Sequence, residues 1–324
     1  MKRLSDILVN KLGAEIKTSE GGTLPVTISG RPLKGGEITL AVASAQMKSA
    51  ILLASLKASD TVKVSEPGQS RDHTERMLIA FGGDVEVEED WITSNPIQSF
   101  TLKDEIEYNV PGDLSSAAFL IAAAILLKKN VTIERVLLNP TRTRFLEILT
   151  LMGVEFIQSD ITMQWDEEVG TLTVYGEYLQ ELTPFEIGKE DVPLLIDELP
   201  MLALIGAVAN GESRISGARE LRLKESDRLK GIAEQFQKFG IPVTEQEDGL
   251  IIFGNPNRKL HAAAIDHKGD HRLLMVFALA AFLADEPMEL REAEVVKVSY
   301  PTFFSDLQQM VGSEGIHVLI DEKA

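Results

Sequence analysis

Between Leu221 and Gly231 the sequence reads LRLKESDRLKG, which gathers Lys224, Glu225, Asp227 and Arg228 at the start of a helix-like pattern. Carboxylates in such a group can move protons, and a lysine with an arginine can hold a phosphate or carboxylate. Ser226 or Asp227 can also cap a helix, and acidic side chains suit its positive end. Lys224 and Arg228, four positions apart, are cations at the wrong end of that dipole unless an anion sits there. A capped helix end and an anion-binding, acid-base site both fit this stretch taken alone. Similar groupings recur. IDELPMLAL sets Asp197 and Glu198 after the apolar run VPLLI, read as a strand, and before an apolar helix that Pro200 can open. There Asp197 reads first as a cap, with a place in a site as the alternative. GDHRLLMVF offers Asp270, His271 and Arg272 before another apolar helix, SAQMKSA offers Ser44 and Gln46, and SRDHTE offers Ser70 and Arg71.

Other chemistries are less well served. The chain has no Cys, which excludes disulfides, thiolate zinc sites and a cysteine nucleophile, and its five His lack paired metal spacing. A metal site is not expected. GRPLKGG lacks the Lys-Ser/Thr ending of a phosphate loop and reads as a turn, and PGDLSSAAF reads as a crossover or helix start. A net charge of −18 argues against nucleic acid as a partner, so cations for an anionic ligand must be gathered locally. MKRLSDI turns polar at once rather than opening a secretory leader. AAFLIAAAILL and MVFALAAFLA are too short to span a bilayer and read as buried helices. The expectation is a cytoplasmic soluble protein without membrane contact.

The elements that must carry these residues form a repeat. Four stretches, from Ser44, Asp113, Asp197 and Asp270, each run from a polar start through an apolar helix to a short alternating strand. Each precedes a second module, an amphipathic helix, a glycine and a strand. Gly82, Gly153, Gly240 and Gly315 stand where left-handed helix ends are wanted, roughly 70 to 90 residues apart. Helix and strand thus build βαβαββ units of the α/β (α+β) class. The opening segment, MKRLSDILVNKLGAEIKT with Gly13, matches a second module without its first. The apolar stripe of Leu4, Ile7, Leu8 and Leu12 leads to the expectation that an N-terminal portion is absent.

Taken together, GRPLKG, VASAQMKSAILLA, SRDHTERML, PGDLSSAAF, NPTRTRFLEIL, LIDELPMLAL, LKESDRL and GDHRLLMVFALA resemble the 5-enolpyruvylshikimate-3-phosphate synthase family along essentially the whole chain, in the family's order. The resemblance implies a two-domain enolpyruvyl transferase, an inside-out α/β barrel with three βαβαββ units per domain. Residues 1–111 would be the remainder of the first domain, about one and a half units, and 112–324 the second domain with three. It implies transfer of the enolpyruvyl group of phosphoenolpyruvate to the 5-hydroxyl of shikimate 3-phosphate, with release of phosphate and without metal or cofactor. A monomer is expected.

By motif match, Ser44, Ala45, Gln46, Arg71, Asp197 and Lys224 would hold shikimate 3-phosphate, and Gln46, Arg228 and Arg272 phosphoenolpyruvate. Asp197 would orient or deprotonate the attacking hydroxyl, and Glu225 would protonate the methylene carbon. The family's opening Lys-Ser stretch and a Gly-rich motif with an Arg find no match, so the chain alone is expected to be inactive or impaired. Two smaller departures are Leu274, where a small residue is more usual, and Val298 in place of a basic residue, with Lys297 given no ligand role. The alternatives are a non-catalytic remnant that binds a phosphorylated ligand and an enolpyruvyl transferase acting on UDP-N-acetylglucosamine. The absence of Cys, common in the catalytic loop of the latter, speaks against it.

Overall fold

The computed structural model describes residues 2–97, 99, 108–312 and 315–316. The chain divides into two compact units, Met1–Val110 with Met163–Glu167, and Pro111–Thr162 with Glu168–Ala324.

Unit 1 opens with α1 (Lys2–Leu12) and the antiparallel pair β1 (Glu15–Thr18) and β2 (Val26–Ser29). It continues with β3 (Gly36–Thr39), α2 (Ala45–Ser55), β4 (Val62–Ser65), α3 (His73–Ala80), β5 (Val85–Val87) and β6 (Ile92–Ser94). The last four strands form a sheet ordered β3-β4-β6-β5. Strands β3 and β4 are joined through a helix and so run parallel, whereas β5 and β6 form an antiparallel hairpin. Leu12, Ile38, Ile51, Leu52, Val62 and Val64 make its core, with Ile7 and Leu8 packed against it.

Unit 2 runs through α4 (Leu114–Leu127), β7 (Asn130–Leu137), α5 (Arg144–Leu151), β8 (Phe156–Gln164) and β9 (Glu167–Tyr175), with Met163–Glu167, at the turn between the last two, counted with unit 1. Next come β10 (Glu186–Ile187), α6 (Val192–Leu195), α7 (Leu199–Val208), β11 (Gly211–Ile215), α8 (Arg228–Lys238), β12 (Val243–Gln246) and β13 (Gly249–Gly254). Helices α9 (His271–Ala281) and α10 (Phe303–Val311) follow. Its sheets are ordered β7-β9-β8 and β10-β11-β13-β12, and Gly112 bridges to Val136 beside β7 in parallel. Both repeat the plan of the unit 1 sheet: a parallel first pair across a helix, then a hairpin whose second strand joins the sheet.

Burial separates the two helix types that the sequence alternates. Helices α4, α7 and α9 are apolar nearly all round and pack on one another inside unit 2. Each fully buried Leu, Ile or Phe there contributes roughly 1.5–3 kcal/mol. Helix α8 keeps a polar face, burying Leu229, Ile232, Ala233 and Phe236 while Lys230 and Lys238 stay in solvent. Asp or Ser side chains close four of the helix starts: Ser44 accepts from Met47 N, Asp113 from Ser116 N, Asp227 from Lys230 N, and Asp270 from Arg272 N and Leu273 N.

Some expectations need correction. VPLLI is not a strand: Val192–Leu195 is a short helix with Pro193 in its first turn, where a missing N–H costs nothing, and the strand is Glu186–Ile187 upstream. Gly13, Gly82, Gly153 and Gly240 have positive φ as expected, but in the last module Gly312, not Gly315, takes that role. The strand expected near Met288–Leu290 does not form, and only Leu260 and Ala284 bridge. Pro287 removes a ladder N–H at that point. The last expected strand, His317–Asp321, lies outside the described residues. Among the described residues, no helix is long and apolar enough to cross a membrane.

Candidate active site

In unit 2, three separate segments bring charged side chains to Arg228. As the first residue of α8, Arg228 lies just inside the helix start that Asp227 caps, and its side chain turns inward to 1% exposure. Its Nε donates to Asp270 Oδ2 at 2.8 Å, its Nη2 to Glu225 Oε2 at 2.6 Å, and its Nη1 stands 3.6 Å from Asp197 Oδ1. Arg272, in the first turn of α9, approaches the same Asp197 oxygen through Nε at 3.4 Å. Asp197 therefore sits between two guanidinium groups.

Asp270 holds this arrangement together. It is fully buried and accepts from Arg228, from Ser226 Oγ at 3.1 Å and from the backbone N–H of Arg272 at 2.9 Å. Burial alone would raise its pKa, but Arg228 and the N–H donors outweigh burial and hold the carboxyl below its ordinary value. Next to it, burial and then the charge of Arg272 push the pKa of His271 down, so its imidazole is neutral at pH 7. Glu225 differs from Asp270 in being 51% exposed, on the outer side of Arg228.

The surrounding residues set the positions of these groups. Asp227, besides capping α8, takes both Arg222 Nη1 contacts at 2.9–3.0 Å, and Arg222 also binds the backbone oxygens of Gln246 and Glu247. Asp227 is thus an anchor for the helix start, while Glu225 and Arg228 form the charged pair. Asp197 is not the cap of α7; Glu198 occupies that position and makes no capping bond. The Glu198 carboxylate is buried and accepts from Ser115 Oγ instead, and Arg142 binds both Ser115 and Asp113. Burial raises the pKa of Asp113, but Arg142 more than offsets this and holds it below its usual value. A hydrogen-bonded node on α4 and the loop before α5 therefore fixes the residue next to Asp197.

Asp197, Glu225, Arg228 and Arg272 are brought together, whereas Lys224 precedes them in extended conformation with an exposed side chain. Ser44, Ala45, Gln46 and Arg71 belong to unit 1. Ser44 caps α2, Ala45 and the exposed Gln46 begin it, and Arg71 lies in the loop before α3 rather than at its first residue. Motif reading named Ser226 only as a possible cap, a place Asp227 takes, and missed both its bond to Asp270 and the central role of Asp270. The signal for Asp270 was present, since an N-cap aspartate flanked by a buried arginine start is readable in GDHR.

Chemically, the unit 2 cluster offers two arginines for an anion, one of them with a buried Nη1 that makes no hydrogen bond. It also offers a carboxylate between them and a second, accessible carboxylate alongside. That combination suits binding an anionic substrate beside carboxylates that can give or take a proton.

A family profile described as EPSP synthase (3-phosphoshikimate 1-carboxyvinyltransferase) matches residues 1–307. The chain is 44% identical over 316 residues to a 3-phosphoshikimate 1-carboxyvinyltransferase of Limosilactobacillus fermentum, covering 97% of this chain and 71% of that protein. Its fold matches the EPSP synthase of Acinetobacter baumannii with a TM-score of 0.81 at 37% identity, over 95% of this chain and 70% of the other. The enolpyruvyl transferase NikO of Streptomyces tendae matches with a TM-score of 0.73 at 18% identity, over 96% and 71%, a likeness of fold.

Proposed function

Because the chain belongs to the EPSP synthase family, we propose that it transfers the enolpyruvyl group of phosphoenolpyruvate to the 5-hydroxyl of shikimate 3-phosphate, releasing inorganic phosphate. The observation that carries the assignment of the site is the convergence of Arg228 and Arg272 on Asp197 Oδ1, at 3.6 and 3.4 Å.

In this reading Arg228 and Arg272 hold the carboxylate and phosphate of phosphoenolpyruvate, whose charge replaces part of what Asp197 and Glu225 supply in their absence. Glu225, the exposed carboxyl, delivers a proton to the methylene carbon, and the adjacent carbon takes the 5-hydroxyl oxygen as Asp197 orients that hydroxyl and accepts its proton. A tetrahedral ketal phosphate results. Phosphate then leaves with its bridging oxygen, and the new methyl group returns a proton to the Glu225 carboxylate, which restores the carbon-carbon double bond. Placing cations where phosphate charge builds up is the large electrostatic contribution expected of such a site. Asp270 keeps Arg228 in position throughout.

Ser44, Ala45, Gln46, Arg71 and Lys224 complete the proposal as ligands of shikimate 3-phosphate, Gln46 also touching phosphoenolpyruvate. A capped helix start with a hydroxyl and an amide, as at Ser44 and Gln46, supports that role. Phosphorylated substrates of this kind do not cross membranes unaided, which supports a cytoplasmic reaction. The names of the relatives, with the lack of Cys, favour shikimate 3-phosphate over UDP-N-acetylglucosamine as acceptor.

Two readouts test the proposal. Calorimetric titration should detect shikimate 3-phosphate and phosphoenolpyruvate binding, and phosphate release from phosphoenolpyruvate should require shikimate 3-phosphate. Binding of neither compound, or release indifferent to shikimate 3-phosphate, would overturn it.

A further inference from the structure

Beneath the start of α2 in unit 1 lies a buried charged group that the reaction itself does not use. Lys48, one turn into α2 from Ser44, is 2% exposed, and its Nζ lies 2.8 Å from both Glu66 Oε1 and Glu75 Oε1. Glu66 follows β4, and Glu75 sits in the first turn of α3. One ammonium therefore ties together a helix start, a strand end and a second helix. Burial lowers the pKa of Lys48, but Glu75 and Glu66 outweigh burial and leave it above the ordinary value, so the ammonium keeps its charge at neutral pH.

Glu66 uses its carboxylate in a particular way. Oε2 accepts from Ser44 N–H at 3.2 Å, Oε1 accepts from Ser70 N–H at 3.0 Å, and the Ser70 hydroxyl lies 2.8 Å from both oxygens. Lys48 Nζ reaches Ser70 O as well, at 3.4 Å. A carboxylate only accepts, so it can take all of these donors at once; the amide of glutamine presents one acceptor face and one donor face. The residues so pinned adjoin candidate ligands: Ser44 leads into Ala45 and Gln46, and Ser70 precedes Arg71.

We propose that Glu66, neutralised by Lys48, is a positioning residue that sets the spacing between the Ser44–Gln46 helix start and Arg71, and thereby the affinity of this chain for shikimate 3-phosphate. The proposal rests on the functional reading above. Its chemical basis is that a buried carboxylate bridging two backbone N–H groups fixes both loops, and Lys48 makes that buried charge tolerable. Glu75 is the second counter-ion, so neutralising Glu66 leaves a balanced Lys48–Glu75 pair rather than an orphaned ammonium.

Glu66→Gln is the test, with three readouts on the full chain. Circular dichroism and thermal unfolding report whether the variant folds. In the folded variant, affinity for shikimate 3-phosphate should fall about 10-fold or more, since one donor loses a charged acceptor. Affinity for phosphoenolpyruvate measured alone should fall less than that for shikimate 3-phosphate, since Arg228 and Arg272 lie in unit 2 and only Gln46 among its proposed ligands adjoins Ser44. Amide hydrogen exchange at Ser44 and Ser70 should accelerate about 10-fold or more, with the interior of α2 unchanged. If Glu66→Gln does not fold, Glu66→Asp keeps the charge but is too short to bridge both loops, and the same losses are expected. Unchanged shikimate 3-phosphate affinity in a folded variant would overturn the proposal, as would unchanged exchange at both serines. Failure of the unaltered chain to bind shikimate 3-phosphate would instead count against the functional reading, and the exchange result would still decide whether Glu66 holds the two loops.

Discussion

Replacing Arg228 with methionine should expose how strongly the site depends on one buried ion pair. The side chain is 1% exposed and Asp270, its partner at 2.8 Å, is fully buried. Methionine fills much of the same space, so the cavity cost is small, but Asp270 loses its counter-ion. Three donors remain on it, from Ser226, Arg272 N and Leu273 N. Breaking a buried pair from one side costs about 3–5 kcal/mol, and these donors place the expected loss near the lower end, about 3 kcal/mol. In Arg228→Met/Asp270→Asn the buried charge is gone while an amide oxygen can still cap α9, so about half of the loss or more should return. Urea unfolding at pH 7 followed by far-ultraviolet circular dichroism gives both values, and hydrogen exchange should assign the loss to unit 2. The pH dependence has a definite sign. Asp270 has a lowered folded pKa, so it contributes stability above its unfolded value, about 3.9, and that stability is lost as pH falls through the folded value. The gap between the unaltered chain and Arg228→Met should therefore be full at pH 7 and narrow below about pH 4. A loss under about 1 kcal/mol, or a double variant no more stable than Arg228→Met, would refute the reasoning.

Two further outcomes follow from neighbouring residues. His271 has a folded pKa below the unfolded value, about 6.5, so its contribution is present above that pH and is lost as pH falls toward the folded value. Relative to His271→Gln, the unaltered chain should lose stability as pH drops below about 6.5, which acid titration of the unfolding midpoint would check; parallel curves would contradict it. Asp227→Ala removes the α8 cap and the Arg222 anchor together and should cost about 1–2 kcal/mol in urea unfolding, with Asp227→Asn keeping most of the cap; no loss in the alanine variant would rule out the anchoring role.

Much of the architecture was legible because the repeat leaves two different hydrophobic patterns. Nearly continuous apolar runs such as AAFLIAAAILL became the buried α4, and the striped LKGIAEQFQKF became the surface-facing α8. Positive-φ glycines after α1, α3, α5 and α8 were readable for a local reason, since side chains are disfavoured there. What failed depended on neighbours. VPLLI is as apolar as a strand, and only its place after β10 and the Pro193 opening make it a helix turn. Near Met288 the alternation is correct, yet a strand needs a partner edge, and only Leu260 and Ala284 meet. At the site, motif spacing found Asp197, Glu225, Arg228 and Arg272, which share a cluster. It gave Asp227 and Asp270 too little structural weight, because the Arg222 and Arg228 contacts that define their roles come from other segments. Glu66 was invisible for the same reason: its donors are Ser44 and Ser70, on two loops that the sequence separates.

The central claim is that Arg228 and Arg272 form the phosphoenolpyruvate end of the site around Asp197. Phosphoenolpyruvate and shikimate 3-phosphate titrations of Arg272→Ala against the unaltered chain test it most directly. Losing a charge-assisted contact should weaken phosphoenolpyruvate binding roughly 10- to 100-fold and leave shikimate 3-phosphate affinity within about 2-fold. Equal phosphoenolpyruvate affinity in the two proteins, or an equal loss for both ligands, would contradict the account.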